Sequence, residues 1–266
     1  MPETGYQSIQ LTVDEGVARL TFNRPESNNA LGEEFFREFG LAMNELAGRG
    51  SEVRAVLIRS TGRFFSVGGD LSLFTRDLDA APAEVLNGTF TMHPGLARMR
   101  RLDAPVIAAV QGTAMGGAVS ILANCDLVVS ARSAKFGAAY PKLGFSMDLG
   151  ASFGLASRMG VSRARRFLLL AETLDAETAE HAGLVDEVVD DEQLAEVAER
   201  YATQFAQGPT RAYGDIRRLL ARALATPFEA QLEDEAQSLT HLAATADARE
   251  GLTAFMEKRA PIFRGE

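Results

Sequence analysis

The chain has 266 residues, of which 46% are hydrophobic and 24% charged, a composition typical of a folded protein with one large domain. Its 27 Lys and Arg against 36 Asp and Glu give a net charge of −9, which disfavours nucleic acid as a partner. A single cysteine excludes an internal disulfide and, with three scattered histidines, argues against a metal site, so a reducing, cytoplasmic location is expected. No run of about eighteen apolar residues is present, and no membrane partner is expected.

The first half of the chain predicts strands alternating with helices. Residues 8–22 alternate apolar and polar positions around an Asp-Glu-Gly turn, which predicts a β-hairpin. Helical spacing of apolar residues predicts a helix over residues 33–46 with Gly48 at its C-cap. Further strands are predicted at residues 55–58, 106–110 and 126–131, and further helices at residues 82–102 and 117–124. This order indicates an α/β fold, and the chain beyond residue 151 is predicted to be almost wholly helical.

Two glycine-rich turns follow apolar strands and carry the first functional signal. They read FSVGGD at residues 65–70 and GTAMGG at residues 112–117. Neither matches a phosphate loop or a dinucleotide fingerprint. Glycines at such positions expose backbone N–H groups, and two N–H groups from separate loops can form an oxyanion hole. Two ordinary tight turns are the alternative interpretation.

Five segments, in chain order, resemble the motifs of the crotonase superfamily. They are RPESNNAL (24–31), FSVGGDL (65–71), PVIAAVQGTAMGG (105–117), AGLVD (182–186) and EGLTAFMEKR (250–259). Because they span nearly the whole chain at consistent spacing, the chain is identified as a member of that superfamily.

The resemblance implies a fold and a substrate. It implies a crotonase-like superhelix of stacked ββα turns over residues 1–200, which binds acyl-CoA, and a C-terminal helical region over residues 201–266. That region would form a homotrimer or a hexamer made of two trimers. The implied substrate is a coenzyme A thioester, with no separate cofactor and no metal, and the oxyanion donors would be the amides of Gly69 and Gly117.

The resemblance also implies coenzyme A contacts. The matching positions are Arg24, Ala30, Ser66, Val67, Phe255 and Lys258. The first four would lie near the adenine end, and Lys258 would pair with a phosphate. A solvated lysine on a terminal helix is the alternative for Lys258.

The catalytic side chains differ from those of hydratases in this superfamily. The positions where hydratases carry two water-activating glutamates are Ser120 and Tyr140 here. A serine without a neighbouring base and a phenol with a pKa near 10 are poor bases at neutral pH. Simple hydration by two glutamates is therefore disfavoured.

One carboxylate remains, Asp148 in the segment YPKLGFSMDLG at residues 140–150. It matches the catalytic aspartate of isomerases in the superfamily, except that Met147 stands where those enzymes usually have proline. A single base can move a proton along a dienolate, so isomerisation is the preferred function. An N-cap for a helix beginning near Leu149 is the alternative role for Asp148.

Three other functions stay open. The same positions resemble 4-chlorobenzoyl-CoA dehalogenase, with Asp148 as nucleophile and His93 as base, although Tyr140 replaces a tryptophan there. His93-Pro94 is also expected at a helix start, where a histidine often has no chemical role. The second is an acyl-CoA enzyme with a non-standard hydratase site, and the third is a protein that binds acyl-CoA without turnover.

Overall fold

The structure is a computed structural model that describes residues 5–266. Within these residues it has nine strands and ten α-helices. The strands are β1 (Ile9–Asp14), β2 (Val17–Phe22), β3 (Ala55–Ser60), β4 (Val106–Val110), β5 (Thr113–Met115), β6 (Leu127–Ala131), β7 (Lys135–Gly137), β8 (Thr173–Asp175) and β9 (Glu187–Val189). The helices are α1 (Glu33–Gly48), α2 (Ser72–Thr75), α3 (Ala81–Met99), α4 (Gly117–Ala123), α5 (Ala151–Leu169), α6 (Ala176–His181), α7 (Leu194–Ala206), α8 (Thr210–Arg222), α9 (Phe228–Ala243) and α10 (Ala246–Glu257).

The strands form two sheets. The larger has the order β1-β2-β3-β4-β6-β9, in which β1 and β2 pair antiparallel and the remaining neighbours pair parallel. The smaller has the order β5-β7-β8. Parallel bridges between Ser66 and Ala114 and between Leu31 and Gly69 extend the smaller sheet to the first glycine-rich turn. Successive turns of the chain therefore add one strand to the large sheet and one segment to the small one.

The middle strands of the large sheet, β3, β4 and β6, are buried on both faces. In β3, Val56 and Ile58 belong to the main hydrophobic core, whereas Ala55 and Leu57 belong to a second core that includes α7. A strand covered on both faces has no polar side, which explains its continuous apolar run in the sequence. Residue 200, the predicted end of the core region, lies inside α7 and not between two elements.

Most of the predicted elements are confirmed, including the hairpin, the parallel strands and the short helix that begins at Gly117. Gly48 is not a C-cap: it lies in the last turn of α1, and the amide of Arg49 caps the helix on the carbonyls of Glu45 and Leu46. The left-handed backbone falls two residues later, at Gly50.

The position of His93-Pro94 at a helix start was also predicted wrongly. Both residues lie in the second half of α3, which begins at Ala81 with a proline in its first turn. Pro94 removes the helix hydrogen bond to the carbonyl of Phe90, and both residues are exposed, so the missing bond lies on the solvent side of α3. The helix therefore continues through a residue that normally ends one.

The C-terminal half is less uniformly helical than predicted. Two three-residue strands, β8 and β9, complete the edges of the two sheets. Segments this short have no detectable period of their own and become strands because an existing edge pairs with them. A non-helical Gly160, with φ of +72°, also divides α5. No helix within residues 5–266 has the length and apolar character needed to cross a membrane.

Candidate active site

One cavity of about 410 Å³ contains four of the five predicted catalytic residues in its wall. Gly69 and Gly117 lie in this wall together with Tyr140 and Asp148. The fifth, His93, lies on α3 beside Asp148 and not in the wall itself. Much of the remaining wall is apolar and includes Phe36, Val67, Phe74, Leu143, Phe145 and Met147. The cavity is therefore mostly apolar, with a few polar groups in its wall, as is common for ligand-binding sites.

Backbone conformation explains the glycines of the first turn. Gly68 has φ of +87°, and a Cβ atom there would lie 2.6 Å from the carbonyl oxygen of Met115. A side chain at this position would push the two glycine-rich turns apart. Ser66 makes two hydrogen bonds in the same turn: its hydroxyl donates to the carbonyl of Asn29 at 2.7 Å and accepts from the amide of Gly68 at 3.1 Å. Ser66 is fully buried, and its two hydrogen bonds stabilise the turn.

The hydrogen bonds of the two turns leave one amide free in each glycine pair. Gly68 donates to the Ser66 hydroxyl, and Gly116 donates to the carbonyl of Gly137 at 2.9 Å. The amides of Gly69 and Gly117 have no acceptor within residues 5–266. Gly117 is buried and Gly69 is exposed, and both line the same cavity, so these two unpaired amides are the candidate oxyanion donors.

Asp148 has one carboxylate oxygen bound and one free. Its Oδ1 accepts from the amide of Leu149 at 2.6 Å and lies 2.7 Å from Nε2 of His93. Its Oδ2 has no partner among the described residues and remains available to a substrate. Asp148 is not an N-cap, because α5 begins at Ala151 and its cap is Gly150, with no side-chain bond.

Ser120 and Tyr140 form a neutral pair. Ser120 is fully buried, and its Oγ lies 2.7 Å from the hydroxyl of Tyr140. Burial raises the pKa of the Tyr140 phenol to about 12, and the negative charge of Asp148 acts in the same direction. Neither hydroxyl can therefore serve as a base near pH 7.

The predicted coenzyme A contacts fall in different places. Arg24 and Ala30 line a second, more polar cavity of about 500 Å³, which shares Leu73 with the first. Arg37 and Arg76 also line this second cavity. Val67 lines the first cavity.

The C-terminal pair, Phe255 and Lys258, lies far along the chain at the end of α10. Phe255 is 83% exposed, and Lys258 follows the helix in a left-handed conformation. Neither residue lines either cavity of the single chain.

A second carboxylate lies in the wall and was not predicted: Glu84, on an exposed part of α3, belongs to no motif in the sequence. Gly88 was not predicted either: its missing side chain leaves room for the Phe36 ring, since a Cβ there would lie 3.1 Å from it. Within residues 5–266, no three His, Cys, Asp or Glu side chains cluster as a metal site requires.

Sheets wound in repeated turns, with helices outside and two free amides at one cavity, define a crotonase-type fold. The model of the enoyl-CoA hydratase/isomerase family matches residues 12–266, and the chain belongs to that family.

Relatives within the family have different activities in their names. The chain is 35% identical to the 1,2-epoxyphenylacetyl-CoA isomerase of Escherichia coli, over 96% of this chain and 97% of that protein. It is 34% identical to the 2,3-dehydroadipyl-CoA hydratase of the same organism, over 94% and 95% of the two chains. A crystal structure of an enoyl-CoA hydratase from Polaromonas sp. JS666 superposes with a TM-score of 0.90 at 30% identity, covering 97% of this chain and 100% of that one.

Proposed function

We propose that the protein shifts a double bond in an enoyl-CoA, with Asp148 as the acid and base. The observation that carries this proposal is the shared cavity of Asp148 and the two free amides. In this mechanism Oδ2 of Asp148 removes a proton from the carbon next to the thioester carbonyl. The negative charge moves to the carbonyl oxygen, where the amides of Gly69 and Gly117 stabilise it.

The second half of the reaction uses the same carboxyl group. Protonated Asp148 returns its proton to the carbon at the far end of the dienolate, and the double bond comes into conjugation with the carbonyl. Proton and charge balance, and the enzyme regains its carboxylate. His93 and the Leu149 amide hold Oδ1 during both steps, which leaves Oδ2 to move between the two carbons.

The neutral Ser120 and Tyr140 pair supports isomerisation over hydration. A hydratase must activate water beside the substrate, and the hydroxyl pair offers no base for that task. Together with Phe145, Tyr140 instead forms part of the wall around the acyl group in the first cavity.

Coenzyme A would lie across the two adjoining cavities. The thioester would sit at the free amides, and the nucleotide end near Arg24, Ala30 and Val67, where guanidinium groups can pair with phosphates. Phe255 and Lys258 would contact a coenzyme A bound to a neighbouring copy of the chain, since they line neither cavity of their own chain.

A homotrimer, or a hexamer of two trimers, would supply that neighbour. The C-terminal region exposes large apolar side chains that a single chain leaves in water, among them Ile216, Leu220, Leu224, Phe228, Leu239 and Leu252. We expect light scattering to give three or six chains per particle. A monomer at micromolar concentration would contradict this assembly and the shared coenzyme A site.

The function is tested by following ultraviolet absorbance after mixing the protein with a 3-enoyl-CoA. We expect growth of the conjugated 2-enoyl thioester. A 2-enoyl-CoA supplied with the protein should keep its absorbance, because Ser120 and Tyr140 stand where hydratases carry their two water-activating glutamates. Rapid loss of that absorbance with no conjugation of the 3-enoyl isomer would instead identify a non-standard hydratase.

One observation supports a second function, dehalogenation of an aryl-CoA. Nε2 of His93 lies 2.7 Å from Asp148, so a histidine base stands beside the possible nucleophile. The Asp148 carboxylate would attack the ring carbon that bears the halogen, halide would leave, and His93 would activate water to hydrolyse the aryl ester. Halide release from 4-chlorobenzoyl-CoA, without conjugation of a 3-enoyl-CoA, would establish this function. Thermal stabilisation by both thioesters with no product would indicate a binding protein.

A further inference from the structure

Asn124 lies behind the cavity, where α4 ends, and is only 5% exposed. Its side-chain Nδ2 donates to the carbonyl of Ser120 at 2.8 Å and to that of Leu149 at 3.2 Å. Its Oδ1 accepts from Nη1 of Arg100 at 3.1 Å. A buried amide with three partners on three different segments holds those segments in fixed relation.

Among the hydrogen-bond partners of Asn124, Leu149 lies next to the proposed catalytic base, Asp148. Its backbone has φ of +54°, which a bulky residue rarely adopts without external support. Its amide donates to Oδ1 of Asp148, and its side chain packs over Gly117, where a Cβ would lie 3.1 Å from Leu149 Cδ1. Leu149 therefore contacts Asp148 and lies beside Gly117, whose amide is one of the two free ones.

Arg100 connects the same amide to α3. It caps the end of that helix, and its guanidinium carbon lies 4.6 Å from the centroid of the Phe153 ring on α5. Asn124 is thereby joined to the helix that carries His93 and to the helix that follows Asp148. The three elements that carry His93, Gly117 and Asp148 meet at this one side chain.

We infer that Asn124 is a positioning residue: it holds the left-handed Leu149 so that Oδ2 of Asp148 and the Gly117 amide reach the same substrate. This inference rests on the proposed function, in which both groups act on one thioester. Asn124 does not line the cavity of Asp148 and takes no part in the proton transfer itself.

Two variants separate the bonds of Asn124. Asn124→Ala removes all three, whereas Asn124→Asp keeps one oxygen as the acceptor for Arg100 and sets the other against the carbonyls of Ser120 and Leu149. We expect both to lower kcat about 10- to 100-fold with KM changed less than about threefold, because misplaced groups lose transition-state contacts and not binding surface. Val129→Ala is the control, since Val129 is a buried residue of the second core, on the other face of the large sheet. It should lower the melting temperature and leave kcat unchanged.

Hydrogen exchange of residues 145–152, measured on the free protein, gives a result independent of the reaction. We expect this segment to exchange about tenfold faster in both Asn124 variants and unchanged in Val129→Ala. Unchanged exchange, or unchanged kcat in Asn124→Asp, would overturn the inference. If the wild type fails to conjugate a 3-enoyl-CoA, the proposed function fails and the exchange rates alone decide whether Asn124 positions this segment.

Discussion

Replacing Asp148 with Asn is expected to lower kcat for conjugation of a 3-enoyl-CoA about 100- to 10,000-fold. The amide keeps the shape of the carboxylate and can still accept the Leu149 N–H, but it cannot remove a proton. KM should change little, because the acyl wall and the free amides remain. The rise of ultraviolet absorbance in wild type and variant measures the effect.

Glu84→Gln is the matched comparison for Asp148→Asn, because Glu84 is the other carboxylate in the same wall. Glu84 lies on an exposed part of α3, and its change should lower kcat less than about threefold, well below the effect of losing a general base. If Glu84→Gln removes the activity while Asp148→Asn retains it, the base is Glu84 and the assignment of Asp148 is wrong.

The second large effect is expected at the oxyanion hole. Gly69→Pro removes one of the two free N–H donors and should lower kcat about 100- to 1,000-fold. Gly69 lies outside the left-handed region, and no atom lies within 4 Å of a Cβ built there. Gly69→Ala, which keeps the donor, should therefore stay within about threefold of wild type.

Comparing Gly69→Pro with Gly69→Ala distinguishes the effect of losing the N–H donor from the effect of adding a side chain at this position. Equal activity of the two would show that the Gly69 amide does not bind the thioester oxygen. The same comparison is less clear at Gly117, where a Cβ would lie 3.1 Å from Leu149 and 3.2 Å from Leu31. Circular dichroism and light scattering on each variant show whether the fold and assembly are kept.

Several elements could be predicted because their signals are local. The alternation over the first hairpin and the unbroken apolar run of β4 depend only on which faces are buried, and both strands are present. The glycines of the two turns were also predictive, because a backbone that must approach another backbone closely excludes side chains. His93-Pro94 was misplaced because proline is more common at a helix start than inside a helix.

By itself, the sequence determined the first hairpin, the strands β3, β4 and β6 and the two glycine-rich turns, since each depends on residue type and near-neighbour spacing. Asp148 became a candidate base through the resemblance of the sequence motifs to the crotonase superfamily. Only the tertiary structure decided that Asp148 lies 2.7 Å from His93, 55 positions away in the chain. It also decided which amide of each glycine pair is free, and that Asn124 joins α4 to the segment of Asp148. These relations depend on how distant segments pack, because a hydrogen bond across the fold leaves no period in the sequence.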